Sequence, residues 1–111
     1  MAIANPPMSA EMFEDFALLP ENEDKILEFI AGEVIEASSN PKSSYYGSNL
    51  HTAIGVHVKL NKLGFVTGEA GGYRINGERY APDVAFFSKA HGVELASRGY
   101  NPLPPDLAVE V

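Results

Sequence analysis

Two short apolar stretches constrain this chain most, "APDVAFF" and "PDLAVEV", because each carries a carboxylate among residues that otherwise belong in a core. Side chains alternate faces along a strand, so Asp83 shares a face with Ala85 and Phe87, and Glu110 with Ala108 and Asp106. A bare buried carboxylate costs several kcal/mol unless it is paired, hydrogen-bonded or bound to a metal. Three arrangements meet that requirement. Each acid lies wet at a strand end, or each pairs with a base such as Arg74 or Arg79, or the two converge on a hard divalent cation that prefers oxygen ligands. Pro82 favours a strand start at Asp83, where a carboxylate reaches a cleft.

The other segments supply a frame for those strands. Ser9 precedes the periodic apolar residues Met12, Phe13, Phe16 and Leu19, so it predicts the cap of a short helix that stops at Pro20. "KILEFIAGEVIEAS" reads as a hairpin about Ala31-Gly32, with Gly32 supplying a positive φ. "SSNPKSS" is turn chemistry, and the spacing of Tyr46, Leu50, Ala53, Ile54, Val58 and Leu60 predicts one long helix over 45–63, with Gly64 as its C′ residue. From Phe65 the period becomes two. "FVTGE", "GYRI" and "RYAPDVAFF" read as three strands, the last two joined at Asn76-Gly77. "SKAHGVELASRG" is a loop or short helix, "YNPLPP" an extended connector, and "DLAVEV" a closing strand. The class is mixed α/β or α+β, in a single domain over 1–111.

Composition excludes several functions. The 111 residues contain no cysteine, which rules out disulfide scaffolds, thiolate metal sites and thiol catalysis. "MAIANPPMSAEMF" lacks the basic and apolar regions of a secretory signal, and no run is long and apolar enough for a membrane span, so a cytoplasmic location without membrane contact is expected. The net charge of −7 is uneven. Residues 1–36 hold nine acids against Lys25 alone, whereas 37–111 hold seven bases against six acids. The acidic part reads as solvated surface. His51, His57 and His91 lack i,i+4 spacing with one another and read as surface or helix-face residues, and "GEAGG" reads as a turn because it lacks the lysine and helix of a phosphate loop.

Taken in order, "LEFIAGEVIEA", "GEAGGYRI", "RYAPDVAFFS" and "PPDLAVEV" resemble the Uma-two family of restriction endonucleases, within the PD-(D/E)xK nuclease superfamily, from about Met12 to the last residue. The resemblance implies a restriction-endonuclease-like core, a central mixed β-sheet flanked by helices. It also implies a homodimer, which the apolar face of the final strand suits. It makes Asp83 and Glu110 ligands of Mg2+ (or Mn2+) and implies hydrolysis of phosphodiester bonds in nucleic acid, DNA first. Glu28 matches a glutamate of the family's first hairpin and joins the acidic cluster in this reading; Glu69 is a weaker candidate, and an exposed hairpin acid is the plain alternative for both. Leu27 and Ala31 stand where relatives have tyrosine and aspartate, and Tyr45 and Tyr46 where many have histidine. The motif's lysine belongs just after Val111 or on a following helix. The 111 residues contain neither place, so a core truncated after its third strand is expected, and no hydrolysis by the chain alone. A catalytically inactive nucleic-acid-binding or protein-interaction module of the same fold is the alternative.

Overall fold

A computed structural model describes residues 8–111; the first seven residues of the stretch read against a secretory signal lie outside the described residues. Helix α1 (Ala10–Ala17) starts where Ser9 accepts the Met12 N–H at 3.1 Å. Its apolar side buries Phe13 completely, stacked on Phe29 with ring centroids 5.1 Å apart and flanked by Tyr100. Strands β1 (Leu27–Ile30) and β2 (Glu33–Glu36) pair antiparallel from Leu27↔Glu36 to Ile30↔Glu33. The turn between them places Ala31 at φ 53° and Gly32 at φ 79°. Two successive left-handed residues match the right-handed twist of the strands. Gly32 adopts this freely, whereas the Cβ of Ala31 makes it costly by about 1–2 kcal/mol.

The long helix α2 (Pro41–Leu60) begins four residues before the predicted start. Asn40 caps it by accepting the Ser43 N–H at 3.0 Å, and Pro41 takes the first helical position, where a missing N–H costs nothing. The asparagine and proline that look like turn residues are therefore the helix start. The other end is also corrected. Leu63 N–H donates to the Val58 carbonyl at 3.0 Å and Lys62 N–H to that of Lys59 at 3.3 Å, the paired bonds of a Schellman cap. Lys62, at φ 53°, is the left-handed C′ residue, and Gly64 instead opens strand β3 (Gly64–Thr67). Glycine is needed there for a different reason: a Cβ would lie 2.3 Å from the Phe87 carbonyl oxygen.

Asn76 and Gly77, at φ 51° and 82°, turn β4 (Tyr73–Ile75) into β5 (Glu78–Tyr80) as expected. "RYAPDVAFF", however, is two strands. Pro82 cannot donate to a ladder, so the chain leaves β5, crosses at Ala81-Pro82-Asp83 and enters β6 (Val84–Ser88) in another sheet. The last strand, β7 (Leu107–Val109), pairs antiparallel with β6. The result is a mixed α+β fold with a four-stranded sheet, β2-β1-β5-β4, and a three-stranded sheet, β3-β6-β7. Every strand pair is antiparallel among the described residues, and the one parallel contact is the isolated bridge Tyr73↔Asn101. Thus the strands of the expected central sheet divide in two, joined where Tyr73 of one sheet packs on Ala85 and Phe87 of the other. No described helix is long and apolar enough to cross a membrane.

One ion cluster ties α1 to the first sheet. Glu14 accepts from Arg74 Nε and Nη2 at 2.7 and 2.9 Å and also from the Nε of Arg79, whose side chain is buried. Both arginines are thereby engaged away from Asp83 and Glu110. The hydrogen bonds from Arg74, then Arg79, hold the Glu14 carboxyl below its ordinary range against an opposing effect of burial.

Replacing Glu14 with Gln leaves the buried Arg79 charge uncompensated and is expected to cost about 3 kcal/mol at neutral pH. Because the folded-state pKa of Glu14 is depressed, its stabilisation is present above the unfolded value near 4.5 and is lost as pH falls through the folded value. Urea unfolding from neutral to acid pH should show the gap between wild type and Glu14→Gln constant above about 4.5 and closing as pH falls from there through the folded value. At the β1–β2 turn, Ala31→Asn relieves the left-handed strain and should raise the unfolding free energy by about 1 kcal/mol; an unchanged urea midpoint would refute this.

Candidate functional site

The β6–β7 ladder runs from Phe86↔Leu107 to Val84↔Val109, so Asp83 and Glu110 occupy the next rung at the end of the pair. Val84 is fully buried, which anchors that end, and the two acids project just where the core stops. Val111 N–H donates to Asp83 Oδ2 at 2.7 Å, which sets the orientation of that carboxylate. Glu28 comes from the other sheet. It lies on β1 between buried Leu27 and Phe29, points away from their core, and its Oε2 accepts the Ala81 N–H at 2.8 Å. The crossing at residues 81–83 is therefore the place where acids of both sheets meet.

Glu28, Asp83 and Glu110 line one cleft of about 520 Å³, together with Glu69 from the "GEAGG" turn. The opposite wall is the first half of α2, which contributes Ser44, Ser48 and His51. At Gly47 and Gly68 the surroundings lie at ordinary contact distance from where a Cβ would stand. A Cβ on Gly47 would lie 3.8 Å from Val111 Cγ2, and one on Gly68 would lie 3.9 Å from His51 Cδ2. Burial first, then the negative charge of Asp83 and Glu28 and a hydrogen bond with Asp83, push the Glu110 carboxyl above its ordinary range. Glu110 is exposed counted over the whole residue, yet it is the carboxyl end, shielded in the cleft beside two like charges, that determines the shift.

The acids are hydrogen-bonded at strand ends rather than paired with arginine. Among the described residues, no three carboxylate or histidine groups stand as a ready-made metal cluster, and no lysine or arginine lines the cleft. The donor chemistry nevertheless suits a hard cation: all the acids offer oxygen, and positive charge would relieve the repulsion that raises Glu110. Glu28 Oε2 and Asp83 Oδ2 each accept a backbone N–H, which fixes the two side chains at the cleft.

Other sequence candidates separate. Asp106, on the strand that leads to Glu110, accepts from Ser88 N–H at 2.7 Å and contacts His91 Nε2 at 3.0 Å, a loop clamp that pulls its pKa down. His57 contacts Asn61 on the surface of α2. His51, read as an ordinary helix-face histidine, is half-buried in the cleft. A signal for it existed in the sequence: Ser44, Gly47, Ser48 and His51 fall at i, i+3, i+4 and i+7, a small polar stripe on one helix face.

No curated protein matches the chain. A family model, Uma2, described as "Putative restriction endonuclease", matches residues 13–111, a span that contains α1 from Phe13 onward, both sheets and every acid of the cleft. With a match that runs from the buried Phe13 of α1 to the last residue beside Asp83, the chain belongs to the Uma2 family.

Proposed function

We propose that the chain carries the acidic centre of a metal-dependent endonuclease that hydrolyses phosphodiester bonds of DNA. The observation that supports this most is the meeting of Glu28, Asp83 and Glu110 in one cleft of a chain that belongs to a restriction endonuclease family. Asp83 and Glu110 are the ligands of Mg2+ (or Mn2+), and Glu28, held by Ala81 N–H, adds negative charge at its edge. The bound cation supplies a Lewis acid that polarises a phosphoryl oxygen and lowers the pKa of a water. The residues of the chain do the rest. Asp83 keeps a fixed carboxylate through its bond from Val111, Glu110 would give its carboxylate to the cation, whose charge would offset the repulsion from Asp83 and Glu28, and Ser44, Ser48 and His51 offer donors to phosphate oxygens from the α2 wall. Assembly as a homodimer belongs to the same reading, supported by the apolar surface left open at Tyr45, Tyr46, Leu50 and Leu107.

A second reading has one observation in its favour, the lack of lysine and arginine among the described residues of the cleft. Without a cation to orient water and offset charge on the phosphate, the same surface serves a nucleic-acid-binding module that does not cut.

Cleavage of plasmid and oligonucleotide DNA with magnesium separates the two, measured on this chain, on the polypeptide extended past Val111, and on Asp83→Ala of each. The extended form should cut, and its Asp83→Ala variant should lose at least about a hundredfold in rate; equal rates, or no cutting by any form, would sink the nuclease reading. The raised Glu110 pKa has its own consequence. A folded-state pKa above the unfolded value near 4.5 contributes stability below that value and loses it as pH rises through the folded value. Thermal unfolding at rising pH should therefore show Glu110→Gln gaining on wild type, and added Mn2+ should stabilise wild type more than Glu110→Gln. The reverse order with Mn2+ would remove Glu110 from the ligands.

A further inference from the structure

Charge is distributed in a way that the acidic cleft does not explain. From Ala37 to Gly68 the chain contains no acid, although its net charge is −7, and it carries Lys42, Lys59 and Lys62 there. The fold then adds a third base to the last two. Lys89 N–H donates to the Leu63 carbonyl at 2.9 Å and Gly64 pairs with Ser88, so Lys59, Lys62 and Lys89, all exposed, gather at one corner where α2 ends and β3 begins. Lys59 alone would be explained by the negative end of the helix dipole. Lys89 comes from a separate 3-10 turn, and Lys62 holds the left-handed C′ position, where glycine would avoid the strain of φ 53°.

A groove of about 460 Å³ leads from this corner between α2 and β3, with Lys59 at one end, Val58, half-buried Phe65 and Val66 along it, and His51 at the other end. His51 also lines the carboxylate cleft, so groove and cleft adjoin at this residue. The eight residues from His51 to Lys59 advance about 12 Å along the helix. That length accommodates about three to four nucleotide steps for a strand stacked as in a duplex, at about 3.4 Å each, and fewer for an extended one.

We propose that the α2–β3 groove is the track for one nucleic-acid strand, its phosphates held by Lys59, Lys62 and Lys89 and its chain led past His51 into the acidic cleft. The entry into the cleft rests on the nuclease reading; the binding does not. The lysines neutralise backbone phosphates, the apolar floor with Phe65 accepts base faces, and the acid-free wall of α2 avoids the repulsion that the rest of the surface exerts. Segregated in this way, an acidic protein binds a polyanion along one line only.

The test is binding of a labelled single-stranded oligodeoxynucleotide, followed by anisotropy against salt, in EDTA so that no hydrolysis or metal ligation contributes. Lys59→Ala/Lys62→Ala/Lys89→Ala should flatten the plot of log K against log salt by about 2, from about 0.7 per phosphate released. Lys25→Ala/Arg98→Ala, elsewhere on the surface, should leave the slope unchanged. Lys62→Gly should weaken binding while its urea midpoint rises, a pairing that a purely structural lysine would not give. No binding by wild type at low salt, a slope unmoved by the triple substitution, or a comparable loss per charge in the Lys25/Arg98 variant would each overturn the proposal. Cleavage that depends on Asp83 together with an unmoved slope would refute the track alone; a flattened slope together with cleavage indifferent to Asp83 would refute the nuclease reading alone.

Discussion

The crossing at Ala81-Pro82-Asp83 organises this molecule. Three residues carry the chain from the four-stranded sheet to the three-stranded one, and proline makes the break because it has no N–H for either ladder. Two hydrogen bonds then close the junction, Ala81 N–H to Glu28 and Val111 N–H to Asp83. The first satisfies a backbone donor of the crossing, the second one that follows β7, and each uses a carboxylate to do so. The same bonds that fix the crossing and the end of the β6–β7 pair therefore aim acids from both sheets into one cleft. Structure and site are one arrangement here.

Electrostatically, the chain treats its carboxylates in two opposite ways. Glu14 is paired with Arg74 and Arg79 and is held ionised, a scaffold charge that fastens α1 across the sheet. Glu110 meets only like charges and has its carboxyl partly shielded from water, so its acidity weakens. The first arrangement gains stability from charge, and the second gives some up. A group of acids left without positive partners is a destabilised site, and strain of this kind concentrates where a ligand restores the balance. The lysine corner beyond the α2–β3 groove completes the division, with positive charge at one end of the groove and negative charge in the cleft that adjoins the other.

Much of the fold could be read from local chemistry. Ser9, Ala31-Gly32 and Asn76-Gly77 act through their own backbone angles or one nearby N–H, so their roles follow from neighbours in sequence. The ends of α2 were misjudged for an equally physical reason. Asn and Pro serve both turns and helix starts, and only the continuing helix decides between them; Lys62 took the place of a C′ glycine because Gly64 was needed by the β3–β6 contact. The acidic N-terminal segment reads as solvated surface, apart from Glu28, which the family resemblance singles out. Glu14 departs from that reading, and the partners of Glu14 and Glu28, Arg79 and Ala81, lie 65 and 53 residues away, beyond any local pattern.

What the sequence determined by itself is the mixed α+β class, the hairpins, the family, and the fact that Asp83 and Glu110 need an explanation. Alternation and propensity act over a few residues, and they reach that far. Tertiary structure alone decided that the strands form two sheets, that Arg74 and Arg79 go to Glu14, that Glu28 is held by the Ala81 N–H, and that His51 joins the acids in one cleft. These outcomes depend on which distant groups come within hydrogen-bonding distance once the core closes, and a one-dimensional pattern holds no record of that distance.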